Sequence, residues 1–172
     1  MLYTAEGSDS WAVHGPLLYA ASKLLWNPNL DYNAVFDDFI QKSFGPAKDV
    51  MKRYYERWFQ EQPFTNRTLA LSFRDLAQAE QLAVGSPQVL DRIRFLEYHA
   101  RYAWLWPKRN EMALDELKGF YRFECETSGL YVVFHRYVED GLRGLLKSKF
   151  GLTDADVSGI CGYTDPFGAF PR

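Results

Sequence analysis

Glycine and proline residues divide this chain into stretches in which apolar residues recur every three or four positions. The clearest stretch follows Pro46, where charged and amide side chains occupy the positions between the apolar ones. This spacing places the apolar residues on one side of an α-helix. Only residues 2–5 are β-prone, so the chain is predicted to be all-α. The apolar side of the clearest helix comprises Ala47, Val50, Met51, Tyr54, Tyr55, Trp58 and Phe59.

The breaks predict an antiparallel array of about six helices, joined by the short connections of a helix bundle. Gly15-Pro16 suits a first turn, and Asn27-Pro28 stops the first helix. Its apolar stripe is Leu17, Leu18, Ala21, Leu24 and Leu25. Gly141 and Gly144 argue against helix beyond Glu139, and residues 151–172 are predicted to be an irregular tail in which Thr153 caps a short turn. The predicted helices cover residues 15–27, 31–44, 46–60, 68–83, 87–106 and 110 to 137 or beyond.

The composition favours one well-packed domain without a nucleic-acid or membrane partner. The chain has 172 residues, of which 47% are hydrophobic and 17% aromatic, and its formal net charge is −2. Such a balance gives no electrostatic attraction for nucleic acid or an anionic membrane surface. No stretch approaches the 18 or so apolar residues of a membrane span. The aromatic residues, at helical spacing, are therefore interpreted mainly as core.

Cysteine usage and the first residues say little about the compartment. Cys125 and Cys161 lack CxxC spacing, so neither a zinc site nor a disulfide framework is expected, and Cys125 is interpreted as a small buried thiol. The N-terminus has no basic segment followed by an apolar one, as a signal peptide would. We therefore assign no localisation.

The polar segment before the first helix carries the candidate chemistry. Glu6, Asp9 and Trp11 lie within six residues of one another, and His14 follows just before Gly15-Pro16. Carboxylates accept hydrogen bonds from sugar hydroxyls, an indole stacks on a pyranose ring, and glycoside hydrolysis uses paired carboxylates. The alternative is a polar loop in which Asp9 forms a turn. The predicted substrate-binding residues are Glu6, Asp9, Trp11 and His14, with no catalytic residue, metal ligand or cofactor assigned.

The remaining polar candidates are interpreted as structural. His99 and His135 lie among aromatic residues, and the three histidines lack metal-ligand spacing, so these two are predicted to be hydrogen-bonded interior or boundary residues. Glu124 and Glu126, with Arg122 nearby, could form an acid pair, but they are interpreted as a solvated helix face or as members of intrahelical ion pairs. The chain contains no GxGxxG, P-loop, GxSxG or HExxH motif.

Two stretches resemble a known family. Residues 15–31 (GPLLYAASKLLWNPNLD), Phe39 and residues 44–47 (FGPA) resemble the C-terminal part of the DUF4838 family, and residues 117–137 are similar to its last long helix. That family comprises large, mostly bacterial and often exported proteins similar to glycoside hydrolases. The resemblance, which covers residues 3–137, implies a (β/α)8 barrel followed by a helical region and a carbohydrate-related role.

A looser similarity concerns the end of the barrel in β-N-acetylhexosaminidases and α-glucuronidases. In those enzymes a final strand leads to a loop bearing Glu and Trp, then to a helix ending in Leu-Trp. Glu6, Trp11 and Leu25-Trp26 match that order, although the spacing from Glu6 to Trp11 differs from that of the hexosaminidases. The similarity implies that Glu6 and Trp11 line a sugar subsite at the barrel's C-terminal face.

A barrel of that type needs about 250 residues. The chain is therefore expected to be the C-terminal helical support of a larger protein and to be inactive alone. Residues 1–14 would supply the last barrel strand and a rim loop, residues 15–150 the helical domain, and residues 151–172 the tail. Its expected partners are the missing barrel and carbohydrate. Two alternatives remain: an independent helical domain that binds a protein or ligand, and a self-contained enzyme that uses Glu6, Asp9 and His14.

Overall fold

The computed structural model describes residues 11–60, 65–130 and 132–161, and these residues are helical throughout apart from short connections. They form eight α-helices and contain no strand, which confirms the all-α prediction. The strand predicted at residues 2–5 lies outside the described residues. The helices are α1 (Trp11–Trp26), α2 (Tyr32–Phe44), α3 (Lys48–Gln60), α4 (Asn66–Leu82), α5 (Pro87–Leu105), α6 (Leu114–Thr127), α7 (His135–Phe150) and α8 (Asp154–Ile160), with short 3₁₀ helices at Gly45–Ala47, Trp106–Lys108 and Ser128–Leu130.

Helix α5 joins two apolar clusters. Its first half packs with α2, α3 and α4, where Met51 and Ile93 are fully buried. Its last turns pack with α6, α7 and α8 through Tyr102, and Leu142 and Leu146 are fully buried there. Burying both sides of one helix in this way makes α5 the common support of the two halves.

Capping residues end or begin several helices as the sequence predicts. The Asp31 carboxylate accepts a hydrogen bond from the Ala34 N–H at 2.8 Å and so caps α2. Gly45, with a φ of 38°, ends α2 in a conformation that suits glycine. The Thr153 hydroxyl accepts from the Asp156 N–H at 3.2 Å, so the predicted short turn after Thr153 is helix α8. Residues 154–160 of the predicted irregular tail are therefore helical.

Helix α1 begins at Trp11, earlier than Gly15 where the sequence placed its start. Residues 11–14, assigned to the rim loop, are thus helical. Pro16 has no N–H, which leaves the carbonyl of Ala12 without its helical donor. The hydroxyl of Tyr55 on α3 donates to that carbonyl at 3.0 Å and replaces the missing bond. The proline is tolerated inside α1 because another helix supplies the donor.

The single long helix predicted from residue 110 is two helices. α6 ends at Thr127, a 3₁₀ turn follows, and α7 starts at His135 and packs back against α6. Gly141 and Gly144 lie inside α7, contrary to the expectation that helix stops near Glu139. A Cβ on Gly141 would come within 2.7 Å of Trp106 Cη2, so glycine allows this close approach.

The two cysteines meet in the second half of the fold. Cys125 on α6 and Cys161 just after α8 form a disulfide, with Cα atoms 5.8 Å apart. This corrects the expectation of an isolated buried thiol. The spacing of the residues did not indicate the pairing because helix α8, which packs on α6 and α7, brings the cysteines together only in the folded chain.

Candidate functional site

The structure describes part of the predicted sugar site. Glu6 and Asp9 lie outside the described residues, and so does the side chain of Trp11, whose backbone opens α1. His14 is described, half-buried in the first turn of α1. Whether the four residues lie together stays a prediction.

His14 lies near a second histidine, on α5. The ring of His99 meets the edge of the Trp58 indole at 4.9 Å between centroids. Burial, and secondarily the charge of His14, lowers the pKa of His99 to about 4. His99 is therefore neutral at pH 7 and can offer only a hydrogen bond. The described residues contain no group of three or more His, Cys, Asp or Glu side chains that could hold a metal ion.

The hydrogen bonding of His99 differs from the prediction. His99 lies at the boundary of the core as predicted, but its Nδ1 is buried without a hydrogen-bond partner among the described residues. A buried nitrogen of this kind carries a desolvation penalty of about 1–3 kcal/mol. Because His99 lies near His14, the two histidines together place polar side chains at the N-terminal end of α1, which follows the predicted rim.

A cavity of about 300 Å³ lies beneath the start of α1. Ala12, Phe39 and Phe95 contribute to a mainly apolar wall, and Arg92 is its charged residue. The Arg92 guanidinium donates to the carbonyl of Ser43 at 3.0 Å. None of the described residues that line the cavity is a carboxylate, so these residues by themselves do not form the acid–base pair of a glycoside hydrolase. A small apolar group is the ligand that this lining suits.

A buried polar cluster joins α5, α6 and the start of α7, and the sequence analysis missed it. Glu124, only 1% exposed, accepts a hydrogen bond from the Tyr102 hydroxyl at 2.5 Å. Its other carboxylate oxygen lies 2.8 Å from His135 Nδ1, and Thr127 Oγ1 lies 2.6 Å from the Tyr102 hydroxyl. Glu124 is therefore not part of a solvated face, whereas His135 is the hydrogen-bonded boundary residue that was predicted.

The position of Glu124 along α6 was the signal for its burial. It follows Leu117 by seven residues and Phe120 by four, and both are buried, so all three share the inner side of the helix. A carboxylate that orients a histidine is a familiar catalytic arrangement. Here His135 Nε2 is buried, and the described cavities are lined by other residues. We therefore interpret this cluster as a hydrogen-bonded link between three helices.

Burial also affects the third member of the cluster. The pKa of Tyr102 is raised well above its ordinary value, first by burial and then by the charge of Glu124. Its hydroxyl therefore stays protonated and remains a donor to Glu124 at any pH near neutral. The bonds among Tyr102, Glu124 and Thr127 make the cluster a rigid support beneath His135, whose Nε2 is buried without a hydrogen-bond partner among the described residues.

Helix α1 exposes an apolar surface to solvent. Its inner side, with Ala20 buried and the ring of Tyr19 against Phe39, packs on α2 and α5. Leu17, Leu25 and Trp26 are 45%, 61% and 91% exposed, and Leu30 and Tyr32 extend the surface into the next connection. Leu17 and Trp26 are nine residues apart and point to opposite sides of the helix, so we call only Leu25, Trp26, Leu30 and Tyr32, at and just after the C-terminal end of α1, the outer surface of α1. Large apolar surfaces left uncovered in this way are typical of interaction sites.

Comparisons with other proteins give no relative: no family model matches the chain, and neither a curated protein nor a solved structure is significantly similar to it. The resemblance to the DUF4838 family stays a prediction. Among the described residues, no helix is long and apolar enough to cross a bilayer.

Proposed function

We propose that this chain is the C-terminal helical support region of a glycoside hydrolase-like, carbohydrate-active protein. In this proposal a barrel of the kind implied by the DUF4838 resemblance packs on the helical region. Residues before α1 supply the last strand and the rim of the substrate cleft, where Glu6, Asp9, Trp11 and His14 contact sugar. The catalytic carboxylates belong to the barrel, and the chain alone is inactive.

The observation that carries the proposal is the outer surface of α1. Fully burying a side chain such as Leu contributes about 1.5–3 kcal/mol, so leaving Leu25 and Trp26 in water forgoes a large stabilisation. The surface belongs to the helix that follows, along the chain, the segment that the resemblance assigns to the barrel. A barrel that packed against it would bury these side chains, and this fits a support region.

The positions of the aromatic residues favour support over an independent binding domain. Tyr54, Tyr55, Trp58, Tyr102 and Tyr121 are all buried between helices of the bundle. Aromatic rings in contact with one another inside the bundle stabilise packing and are unavailable to a ligand. These five rings therefore serve the core.

The test begins with the genomic sequence upstream of Met1. An in-frame stretch encoding a (β/α)8 barrel is expected, and its absence would refute the proposal. The upstream region and this chain, produced as separate polypeptides, should then form a complex that size-exclusion chromatography detects.

The variant Trp26→Ser should weaken that complex by at least about tenfold, the effect of losing an interface hot spot. Val84→Ser is the matched control, because Val84 is 78% exposed in the turn between α4 and α5, away from α1. Equal affinities for both variants would show that the outer surface of α1 is not the contact.

Enzyme assays address the third hypothesis separately. The chain alone should not hydrolyse aryl glycosides, whereas its complex with the barrel should. Hydrolysis by the isolated 172-residue chain that Glu6→Gln abolishes would instead establish a self-contained enzyme.

A further inference from the structure

A second apolar depression lies along the last turns of α5. It consists of two adjoining hollows of about 500 and 610 Å³ that share Arg101, Trp104 and Lys108. Phe73 of α4 lines one hollow and Phe120 of α6 lines the other. We call this surface the Trp104 groove. It follows the seam between α4, α5 and α6, where the two apolar clusters of the fold meet.

The Trp104 groove lies on the opposite side of α5 from the cavity beneath α1. Arg92 and Phe95 line that cavity, and Arg101 and Trp104 each follow nine residues later. Nine residues make two and a half turns of an α-helix, which reverses the direction of the side chain. The groove and the cavity beneath α1 therefore lie on opposite sides of α5, and no residue of the outer surface of α1 lines the groove.

Aromatic rings hold two cations beside the apolar floor. Lys108 Nζ lies 4.6 Å from the centre of the Trp104 ring, and the Arg101 guanidinium carbon lies 4.5 Å from the centre of the Phe123 ring. Such contacts are favourable and restrict long side chains. Neither cation forms an ion pair with a carboxylate among the described residues. Within the described part of the chain, both cations are therefore held against aromatic rings and not against carboxylates.

The two hollows differ in the charges of their described lining residues. In the hollow beside α4, the described lining contains Arg101 and Lys108 and no acidic residue. Glu111 and Glu116 lie only in the hollow beside α6, where Glu116 accepts a hydrogen bond from the Ala113 N–H at 2.9 Å and caps α6. Trp104, 44% exposed, separates the two hollows and offers an indole to a ligand lying across them.

We propose that the Trp104 groove binds an acidic segment of a partner protein. Apolar side chains of that segment rest on Trp104 and Phe73, and its carboxylates pair with Arg101 and Lys108. The groove is open along its length, whereas small-molecule sites enclose most of their ligand. Two cations are too few for the phosphate contacts of a nucleic acid. Trp and Arg are also the residue types that most often anchor protein interfaces.

The test is selection of random 12-residue peptides on the immobilised full-length chain, followed by fluorescence anisotropy with the selected peptides. The expected peptides are rich in Asp and Glu around one or two apolar residues, and their binding weakens as salt increases. Trp104→Ala and Lys108→Glu should each reduce affinity by at least about tenfold. Lys23→Glu is the matched control, because Lys23 also lies over an aromatic ring, that of Tyr19, on α1. It should leave binding unchanged.

Three outcomes overturn the proposal: no peptide selected above background, selected peptides without acidic enrichment, or equal binding by wild type and Lys108→Glu. Circular dichroism of each variant separates loss of the groove from loss of the fold. If Lys108→Glu alone is unstable, Arg101→Gln tests the same charge requirement. These results are independent of complex formation through Trp26, so the two proposals can fail separately.

Discussion

A buried ion pair between Asp75 on α4 and Arg57 on α3 links these two helices. Asp75 is fully buried, accepts hydrogen bonds from Arg53 Nη2 at 2.7 Å and from Arg57 Nη1 at 2.5 Å, and Arg57 is itself buried. A buried ion pair contributes little beyond a well-packed apolar alternative, but removing one partner leaves the other charge without compensation. A substitution that removes only the carboxylate of Asp75 should therefore destabilise the fold strongly.

We expect Asp75→Asn to lower the free energy of unfolding by about 3–5 kcal/mol, because it leaves the buried charge of Arg57 without a counter-charge. Urea denaturation monitored by circular dichroism measures this change. Asp37→Asn is the control, since the ion pair of Asp37 with Lys52 is exposed and such pairs contribute at most about 1 kcal/mol. Similar losses for the two variants would contradict the interpretation.

His99 should make the fold sensitive to acid. Its pKa is about 4 in the folded chain and about 6.5 when unfolded. The unfolded state therefore binds the extra proton between these values, and stability falls as pH drops from 6.5 to 4, by about 3 kcal/mol in total. His99→Phe keeps a ring beside Trp58 and removes the titration.

Unfolding free energies of wild type and His99→Phe at several pH values between 7 and 4 test this prediction. The difference between the two proteins should move in favour of the variant by about 3 kcal/mol as the pH falls. Burial and the charge of Glu80 raise the pKa of Glu97 to about 7, which makes stability fall as pH rises, but both proteins share that effect. A constant difference across the range would show that His99 is freely protonated in the fold.

At the scale of the helix, two glycines of α7 should respond in opposite ways. Glycine inside a helix is less favourable than alanine by about 1 kcal/mol. Gly144→Ala meets nothing within 4 Å and should stabilise the protein by roughly that amount. Gly141→Ala would place its Cβ 2.7 Å from the rigid indole of Trp106, and should destabilise it. Thermal melts show whether the melting temperature of each variant rises or falls. A rise for both variants would mean that Trp106 moves aside freely.

The helices that were predicted correctly are those whose burial pattern and caps lie within their own segment of the sequence. Helices α2 and α3 were predicted from periodicity and from Asp31, Gly45 and Pro46, because both their burial pattern and their caps lie within the segment. The start of α1 was wrong because the donor that compensates for Pro16 comes from Tyr55, 43 residues after the Ala12 carbonyl that accepts the bond. The division of α6 from α7 was missed because α7 is positioned by packing back against α6, which local periodicity does not reveal. Gly141 was read as the end of a helix because Trp106, which requires glycine there, lies far away in the sequence.

The candidate sites were less predictable, for the same reason. The link between Glu124 and His135 joins residues 11 apart on different helices, and Tyr102 comes from a third helix. Periodicity alone could have placed Glu124 inside, but it could not name its partners. The Trp104 groove likewise draws its lining from three helices, and the relative positions of helices are set by tertiary packing.

For the molecule as a whole, the disulfide between Cys125 and Cys161 should be a major source of stability. The residues are 36 positions apart, and closing a loop of that length contributes about 4 kcal/mol in the chain-entropy model, with measured values usually about 2–4 kcal/mol. Cys161→Ser should lower the unfolding free energy by that amount in oxidised protein and leave it unchanged in dithiothreitol. Titration of two free thiols per denatured, unreduced chain would show that the bond does not form.

The same bond determines how the protein behaves when its backbone is cut. The connection between α7 and α8 exposes Gly151 and Thr153, and it lies inside the loop that the cysteines close. A protease that cleaves there produces two polypeptides that still migrate as one species on a non-reducing gel. The C-terminal piece separates only after a thiol is added, so a nicked molecule keeps all its parts until it meets a reductant.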